Sequence, residues 1–426
     1  MTRLAPRPQP DRPGERPGDR PGRPGRGAAA LPPLPPPLPK EDPITRLPLL
    51  VLFPHSRCNC RCLMCDIWRD RGKRELAAAD VARWLPEWRR LGVERVVLSG
   101  GEALLHSELW RLCDLLRGAG IGITLLSTGL LLARDAVRLV AVCDDVVVSL
   151  DGPRQVHDLI RNVPRAFARL AEGVAAVRAA GGPGTRISGR CTVQRANFHA
   201  LRDTVAAARE IGLDRLSFLA ADVTSEAFNR PGGWDRERAA EVALREEDLE
   251  PLAAELAALA RECAGEFASG FLAESPRKLE RRLLRHFAAL LGRGDFAPNA
   301  CNAPWVSAVI EADGTVRPCF FQPALGRLRA GGVGGGGGGS EGDGGGEAAG
   351  GGSDGGGSLD AILNSPSAIA WRRGLDVERD AICRRCVCSL CLRRGGLGGW
   401  AGEGGEGGDS VAGGRTIDSG KSRGAI

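Results

Sequence analysis

One stretch of the chain carries the residues that decide its fold and its chemistry: Phe53-Pro54-His55-Ser56-Arg57-Cys58-Asn59-Cys60-Arg61-Cys62-Leu63-Met64-Cys65-Asp66-Ile67-Trp68. Cys58, Cys62 and Cys65 have C-x3-C-x2-C spacing and follow an apolar run typical of a buried strand. Cysteine thiolates are the usual ligands of iron-sulfur clusters, and this spacing lets one short loop surround a cubane. Because the loop supplies three ligands, it suggests a cluster with one open iron that binds substrate or cofactor.

A fourth cysteine, Cys60, lies inside the same loop. We assign the cluster to Cys58, Cys62 and Cys65 and leave Cys60 as a spare thiol. The alternative interpretation is a zinc loop or a group of buried thiols, because closely spaced cysteines also bind tetrahedral zinc.

A second motif, Leu98-Ser99-Gly100-Gly101-Glu102, follows the next predicted strand. Together with the cysteine spacing, this motif resembles the radical S-adenosylmethionine (SAM) superfamily. The resemblance implies a 4Fe-4S cluster whose open iron is chelated by the amino and carboxylate groups of SAM. It also implies that Gly100, Gly101 and Glu102 contact the methionine part of SAM. A zinc loop would not explain this second motif.

The charge, the apolar runs and the cysteine content of the chain indicate which class of protein it belongs to. The formal charge of the 426 residues is +6, but the first forty residues hold eight Arg or Lys and three Asp or Glu. The remainder is nearly neutral, which argues against a nucleic-acid partner. No apolar run has the length of a membrane span, and the N-terminus lacks the apolar core of a signal peptide. We therefore expect a soluble cytoplasmic protein, in which the 14 cysteines serve metal or cluster binding rather than disulfides.

Apolar runs and helical patterns alternate from residue 47 onward. Strands are predicted at 49–53, 95–98, 121–126, 145–150, 186–193 and 215–219, and the helices between them at 77–91, 107–116, 134–142, 165–179 and 201–211. Six strands joined by helices indicate an α/β fold with a parallel sheet. Periodicity leaves open whether the sheet is doubly wound or closes into a barrel. The resemblance implies a partial (β/α)6 TIM-like barrel with its chemistry at the carboxyl ends of the strands.

Polar residues follow several of these strands. The resemblance implies that Ser149, Asp151 and Arg190 contact SAM, although ordinary turn chemistry would also explain Ser149 and Asp151. Residues 157–161, His-Asp-Leu-Ile-Arg, are similar to the segment that follows this strand in cofactor-modifying and peptide-modifying members of the family. The alternative for that segment is a solvated helix start.

A second group of cysteines lies near the C-terminus. Cys301 and Cys319 flank a predicted hairpin with a turn at Asp313-Gly314, and four more thiols follow at positions 383, 386, 388 and 391. This arrangement resembles the auxiliary-cluster extension called SPASM or, in its shorter form, twitch, with a helix over 359–375.

The number of thiols bears on how many clusters this region binds. Two fully cysteine-ligated clusters need about eight thiolates, and the region offers six, so one auxiliary 4Fe-4S cluster is favoured. Its predicted ligands are Cys301, Cys319, Cys383 and Cys386. A second, incompletely ligated cluster involving Cys388 and Cys391, or a structural zinc site, remains the alternative.

The predicted organisation has five parts. These are a disordered Pro/Arg/Gly-rich tail over 1–44, the radical SAM core barrel over 45–225, a helical bridge over 226–298, a smaller auxiliary-cluster domain over 299–394 with a Gly-rich insertion at 331–357, and a disordered Gly-rich tail over 395–426.

The resemblance implies an enzyme that cleaves SAM reductively to a 5′-deoxyadenosyl radical and abstracts hydrogen from a peptide or small-molecule substrate. Its implied partners are SAM and an electron donor such as flavodoxin or ferredoxin. The first alternative is an iron-sulfur electron-transfer or scaffold protein that does not cleave SAM, which would have no need of Glu102. The second is a zinc-binding adaptor.

Overall fold

A computed structural model describes residues 36–181, 185–329, 357–388 and 390–393. Residues 1–35 and 395–426, for which the sequence predicts disorder, lie outside these ranges. Nearly all of the Gly-rich insertion also lies outside them.

A continuous sheet of nine strands forms the centre of the fold, in the order β6-β5-β4-β3-β2-β1-β7-β8-β9. Its first six strands are parallel to one another, as the sequence predicts. They are β1 (Leu49–Leu52), β2 (Arg95–Leu98), β3 (Gly122–Ser127), β4 (Asp145–Ser149), β5 (Arg186–Val193) and β6 (Arg215–Ala220). Helices join these strands, giving a partial (β/α)6 TIM-like barrel.

Each crossover helix packs an apolar face on the sheet, and Trp88, Leu112, Leu139, Leu170 and Leu201 are all fully buried. The helices of this part are α1 (Ala78–Arg90), α2 (Leu109–Gly118), α3 (Leu132–Val142), α4 (Arg154–Arg161), α5 (Ala166–Gly181) and α6 (Leu201–Glu210). Helix α4 follows β4 after a connection of four residues and contains the segment 157–161 that resembles cofactor-modifying and peptide-modifying enzymes.

The predicted hairpin is confirmed. Strand β7 (Ser307–Ile310) pairs antiparallel with β8 (Thr315–Arg317), which pairs with β9 (Gly326–Arg327). Strand β7 also pairs in parallel with β1. This pairing covers the edge of β1, which would otherwise present unpaired backbone groups. The auxiliary region is therefore attached to the barrel by a shared sheet.

The region 226–298, predicted as a helical bridge, contains several short helices. They are α7 (Arg236–Val242), α8 (Leu249–Glu262), α9 (Ala264–Ala268), α10 (Pro276–Leu279), a π-helical turn (Glu280–Leu284) and α11 (Arg285–Leu290). Gly270 has a left-handed φ of 75°, and Pro276 opens a new helix capped by Ser275. Such residues end helices because they interrupt the helical backbone.

The single helix predicted over 359–375 is wrong. The structure has α13 (Leu359–Leu363) and α14 (Pro366–Gly374), preceded by the short α12 (Ala303–Val306) near the hairpin. Pro366 cannot continue a helix from the preceding turn, and the Ser365 side chain instead caps the new one.

Residues 36–44 are packed, although their composition predicts that they belong to a disordered tail. Ile44 is 2% exposed, and the Leu38 N–H donates to the carbonyl of Leu392 at 2.8 Å. Arg372 in α14 is buried and its Nε donates to Asp42 Oδ1 at 2.5 Å. A buried guanidinium needs a counter-charge, so this tertiary contact orders a segment whose composition resembles a tail.

Among the residues that the structure describes, no helix combines the length and the apolar character that crossing a membrane requires.

Candidate functional site

The cluster loop, residues 53–68, begins at the carboxyl end of β1. Phe53 N–H donates to the Ile310 carbonyl of β7 at 2.8 Å, and Glu102 N–H donates to the Arg57 carbonyl at 2.9 Å. These two contacts hold the loop at the edge of the sheet where parallel barrels place their chemistry.

The structure brings the three predicted ligand cysteines together. Cys62 is buried and Cys58 and Cys65 are half-buried, and all three pack in one group with Cys60, which is 1% exposed. Burial raises the pKa of Cys65 to about 12 and that of Cys58 even further. A hydrogen bond from the Cys60 thiol lowers the pKa of Cys62 to about 7.

These thiols fit an iron-sulfur cluster, because a buried thiolate needs a positive neighbour and a metal centre supplies one. Within the described ranges, no three His, Cys, Asp or Glu side chains converge closely enough to hold a single metal ion. A cubane distributes its thiolates over separate irons, so its ligands need not converge on one point. The role of Cys58, Cys62 and Cys65 as ligands stays a prediction. Three closely packed thiols are a suitable set of donors for an iron-sulfur cluster.

At Gly100 and Gly101, the backbone that follows β2 lies very close to the cluster loop. A Cβ at Gly101 would lie 2.1 Å from the Arg57 carbonyl oxygen and 3.2 Å from Cys58 N. Gly100 has a φ of +94°, and its Cβ would lie 2.8 Å from the Phe53 side chain. The contact of these glycines with SAM stays a prediction. The structure gives them a further role, because only glycine lets the two backbones approach this closely.

Glu102 is fully buried and ties the end of β2 to the end of β3. Its carboxylate accepts hydrogen bonds from Thr128 N at 2.8 Å, Thr128 Oγ1 at 2.6 Å, Ser127 Oγ at 3.0 Å and Leu104 N at 3.1 Å. Burial raises the pKa of Glu102, and the bonds from Thr128 oppose that shift. Thr128 Oγ1 also lies 3.0 Å from Asn59 Oδ1 in the cluster loop. The predicted contact between Glu102 and SAM is not tested by these bonds.

Ser149, the last residue of β4, and Arg190, within β5, are partners in the strand register. The Arg190 side chain is half-buried, and its Nε donates to Ser217 Oγ of β6 at 3.5 Å. Three neighbouring strands therefore place polar side chains next to one another. The contacts of Ser149 and Arg190 with SAM stay predictions.

Asp151 is fully buried and its carboxylate is used inside the protein. It pairs with Arg161 at 2.5 Å and accepts a hydrogen bond from Thr192 N at 2.9 Å. Burial raises the pKa of Asp151, and the charge of Arg161 opposes that shift. A direct contact between Asp151 and SAM stays a prediction that these bonds do not support.

Arg161 is the residue of this site whose role sequence reasoning missed. The alternative of a solvated helix start is wrong, because Arg161 is 6% exposed and His157 is completely buried. The available signal was the pair of His157 and Arg161 four residues apart on one helix, since residues at this spacing share a face.

In the auxiliary region, Cys301, Cys319 and Cys383 lie near one another. Burial raises the pKa of Cys301 to about 12, and the neighbouring thiols Cys388, Cys319 and Cys383 raise it as well. Gln322 Nε2 donates to Cys383 Sγ at 3.3 Å. The three predicted ligands that are distant in sequence are therefore brought to one place.

Cys386 and Cys388 differ in their surroundings, which bears on which of them is the fourth ligand. Cys388 acts electrostatically on both Cys301 and Cys319. Cys386 accepts a hydrogen bond from Cys388 N at 3.4 Å and lines a cavity of about 160 Å³ with Asp222 and Phe321. The prediction that Cys386 is the fourth ligand stays untested, and Cys388 is a second candidate.

The C-terminal segment is fastened beside Cys301 by one side chain. Asn302 Nδ2 donates to the carbonyl of Leu392 at 2.9 Å, and Leu392 N–H donates to Asn302 Oδ1 at 2.9 Å. Cys391, next to Leu392, is 7% exposed. Its role has no assignment.

Comparison with known proteins gives a family match. Residues 52–208 match the family model described as the radical SAM superfamily. The chain is 27% identical over 180 residues to an AdoMet-dependent heme synthase of Methanosarcina barkeri, covering 40% of this chain and 49% of that protein. It is 32% identical over 272 residues to a PqqA peptide cyclase of Ruegeria pomeroyi, covering 62% of this chain and 65% of that protein. The chain thus spans about half to two thirds of the length of these relatives.

Solved structures share the fold. Streptococcus suis SuiB bound to the precursor peptide SuiA aligns with a TM-score of 0.50 at 15% identity, over 81% of this chain and 72% of that one. Native anSMEcpe with bound AdoMet and the Kp18Cys peptide aligns with a TM-score of 0.50 at 18% identity, over 81% and 89%. The matched range 52–208 contains the cluster loop, the Gly-Gly-Glu turn, Asp151 and Arg161. The match to the radical SAM superfamily thus covers the part of the chain that holds the candidate site.

Proposed function

We propose that this protein is an enzyme that cleaves SAM reductively and abstracts hydrogen from a peptide or small-molecule biosynthetic substrate. The observation that carries the proposal is the cluster loop. It gathers Cys58, Cys62 and Cys65 at the carboxyl end of β1, where Gly101 packs directly against it. When bound, the 4Fe-4S cluster and SAM supply one-electron cleavage of SAM to methionine and a 5′-deoxyadenosyl radical.

The chain's own residues bind and orient these groups. Cys58, Cys62 and Cys65 would hold the cluster. The contacts proposed for SAM are Gly100, Gly101, Glu102, Ser149, Asp151 and Arg190. The proposal is supported by the position of Gly100, Gly101 and Glu102 directly after β2, where Gly100 and Gly101 pack against the loop. Ser149 ends β4, and Arg190 is its register partner within β5. Glu102 keeps the loop and strand ends fixed, and such fixed positions bring reacting groups together without a further entropic cost.

The decisive experiment is anaerobic purification and reconstitution with iron and sulfide, followed by reduction with dithionite in the presence of SAM. We expect a brown protein that releases 5′-deoxyadenosine, measured by chromatography. An iron-loaded protein that leaves SAM intact would favour the electron-transfer alternative, and a colourless zinc-containing protein would favour the adaptor.

We further propose one auxiliary 4Fe-4S cluster in region 299–394, held by Cys301, Cys319, Cys383 and Cys386. The proximity of the first three thiols supports it. Four protein ligands would leave no open iron, so the role would be structural or in electron transfer rather than in binding substrate. Ligation would also fasten the hairpin and the C-terminal segment to the barrel, because metal binding contributes to folding free energy.

Replacing all four of these cysteines by alanine is expected to lower the iron content from about eight to about four per chain, since each cubane holds four irons. SAM cleavage without substrate should persist in part, while substrate turnover is lost. Iron analysis measures the loss of iron, and the 5′-deoxyadenosine assay measures the remaining SAM cleavage. Separate Cys386→Ser and Cys388→Ser variants identify the fourth ligand, and unchanged iron in the quadruple variant would refute the single-cluster proposal.

The proposed substrate is a peptide or a small biosynthetic molecule, and the proposed electron donor is a small redox protein such as flavodoxin or ferredoxin. The peptide option is supported by the similarity to a PqqA peptide cyclase, and the small-molecule option by the similarity to a heme synthase. The proposed domain organisation has a core barrel over 45–225, a bridge over 226–298 and an auxiliary domain over 299–394.

A further inference from the structure

Arg161 lies between the cluster loop and the end of β4. Its Nη1 donates to Cys62 Sγ at 3.4 Å, and its Nη2 lies 2.5 Å from Asp151 Oδ2. The side chains of Arg161 and Asp151 are 7% and 0% exposed. Because water does not screen charges at such a site, the guanidinium acts on the sulfur more strongly than a surface arginine would.

The backbone fixes this contact from both sides of Cys62. Arg61 N–H donates to the Arg161 carbonyl at 3.1 Å, and Leu63 N–H donates to the Ile160 carbonyl at 3.0 Å. The cluster loop is thereby bonded to the last turn of α4. The distance from the guanidinium to the Cys62 sulfur is set by these bonds as well as by the side chain.

Asp151 holds the guanidinium in place and is itself held by three contacts. Its Oδ1 accepts a hydrogen bond from Thr192 N at 2.9 Å, and its carbonyl accepts one from Asn197 Nδ2 at 2.9 Å. Its N–H donates to His157 Nδ1 at 3.1 Å. The carboxylate therefore has one fixed position, from which it orients Arg161 toward Cys62.

We propose that Arg161 is a positioning residue that raises the reduction potential of the cluster held by Cys62, while Asp151 orients it and offsets part of its charge. The inference rests on the proposed function, because it takes Cys62 as a cluster ligand. Reduction transfers one electron from an external donor to the cluster and moves no proton, so the cluster becomes more negative by one charge. Hydrogen bonds to the ligand sulfurs and net charge set such potentials, and a nearby positive charge stabilises the reduced state.

The test is a redox titration of the reconstituted protein without SAM, followed by electron paramagnetic resonance of the reduced cluster. The double variant Arg161→Met/Asp151→Asn removes the pair without leaving one buried charge alone. At a fixed potential we expect its reduced-to-oxidised ratio to fall about tenfold, which is about 59 mV for a one-electron couple. Asp151→Asn alone keeps the guanidinium and removes the offsetting charge, so its ratio should rise.

Arg154→Met is the matched control, because Arg154 is an exposed arginine of the same helix. Its potential should equal that of the wild type. Unchanged potentials in the double variant and in Asp151→Asn, with normal iron content, would overturn the inference. If the double variant loses its iron, the test rests on Asp151→Asn alone. A reduced-to-oxidised ratio in Asp151→Asn that equals or falls below the wild-type ratio at the same potential would then refute the proposal. Wild-type protein that binds no iron on reconstitution would overturn the proposed function and this inference together.

Discussion

Alanine at Cys58, Cys62 or Cys65 is expected to remove about four irons per chain, the content of one cubane, and to abolish SAM cleavage. All three thiols pack together with Cys60 at the carboxyl end of β1. Alanine offers no ligand, and the remaining two thiols of the motif would leave a second iron without a protein ligand. Iron analysis and the 5′-deoxyadenosine assay measure the loss.

Cys60→Ala is the internal control for that series. The Cys60 thiol packs behind the motif and donates a hydrogen bond to Cys62. Its loss should cost about 1 kcal/mol of stability, comparable to one buried methylene, and leave iron content and SAM cleavage largely intact. Loss of the cluster in Cys60→Ala but not in Cys58→Ala would show that the ligand assignment is wrong.

Gly101→Ala is expected to displace the cluster loop without removing any ligand. The new Cβ would lie 2.1 Å from the Arg57 carbonyl oxygen, a backbone atom that cannot move aside by changing rotamer. Overpacking of this kind costs about 1–3 kcal/mol or more, and here the strain falls on the residue before Cys58. We expect a lower melting temperature and incomplete cluster loading, measured by thermal denaturation and iron analysis.

Gly118→Ala provides the matched substitution. Gly118 is the last residue of α2, and a Cβ there would meet nothing within 4 Å. Alanine should leave iron content unchanged and stabilise the helix by up to about 1 kcal/mol, because glycine is the poorer helix former. Wild-type iron loading in Gly101→Ala would contradict the packing role assigned to this glycine.

Much of the architecture was determined by the sequence alone. The helix predicted at 77–91 is found at Ala78–Arg90, and the strand predicted at 186–193 is found at Arg186–Val193. Local periodicity and turn residues decide such elements, because each needs only its own buried face. The spacing of Cys58, Cys62 and Cys65 likewise indicated a cluster loop, since a loop this short keeps its thiols together in any fold.

The partners of these residues were decided only by the tertiary structure. Arg161 meets Cys62 across 99 residues of sequence, and Cys388 lies near Cys301 only because the C-terminal segment returns to the hairpin. Likewise, residues 36–44 are ordered by the buried Arg372. Such contacts depend on how crossover helices and distant segments pack on the sheet. No local pattern encodes that packing, because the burial that makes each contact favourable exists only in the folded chain.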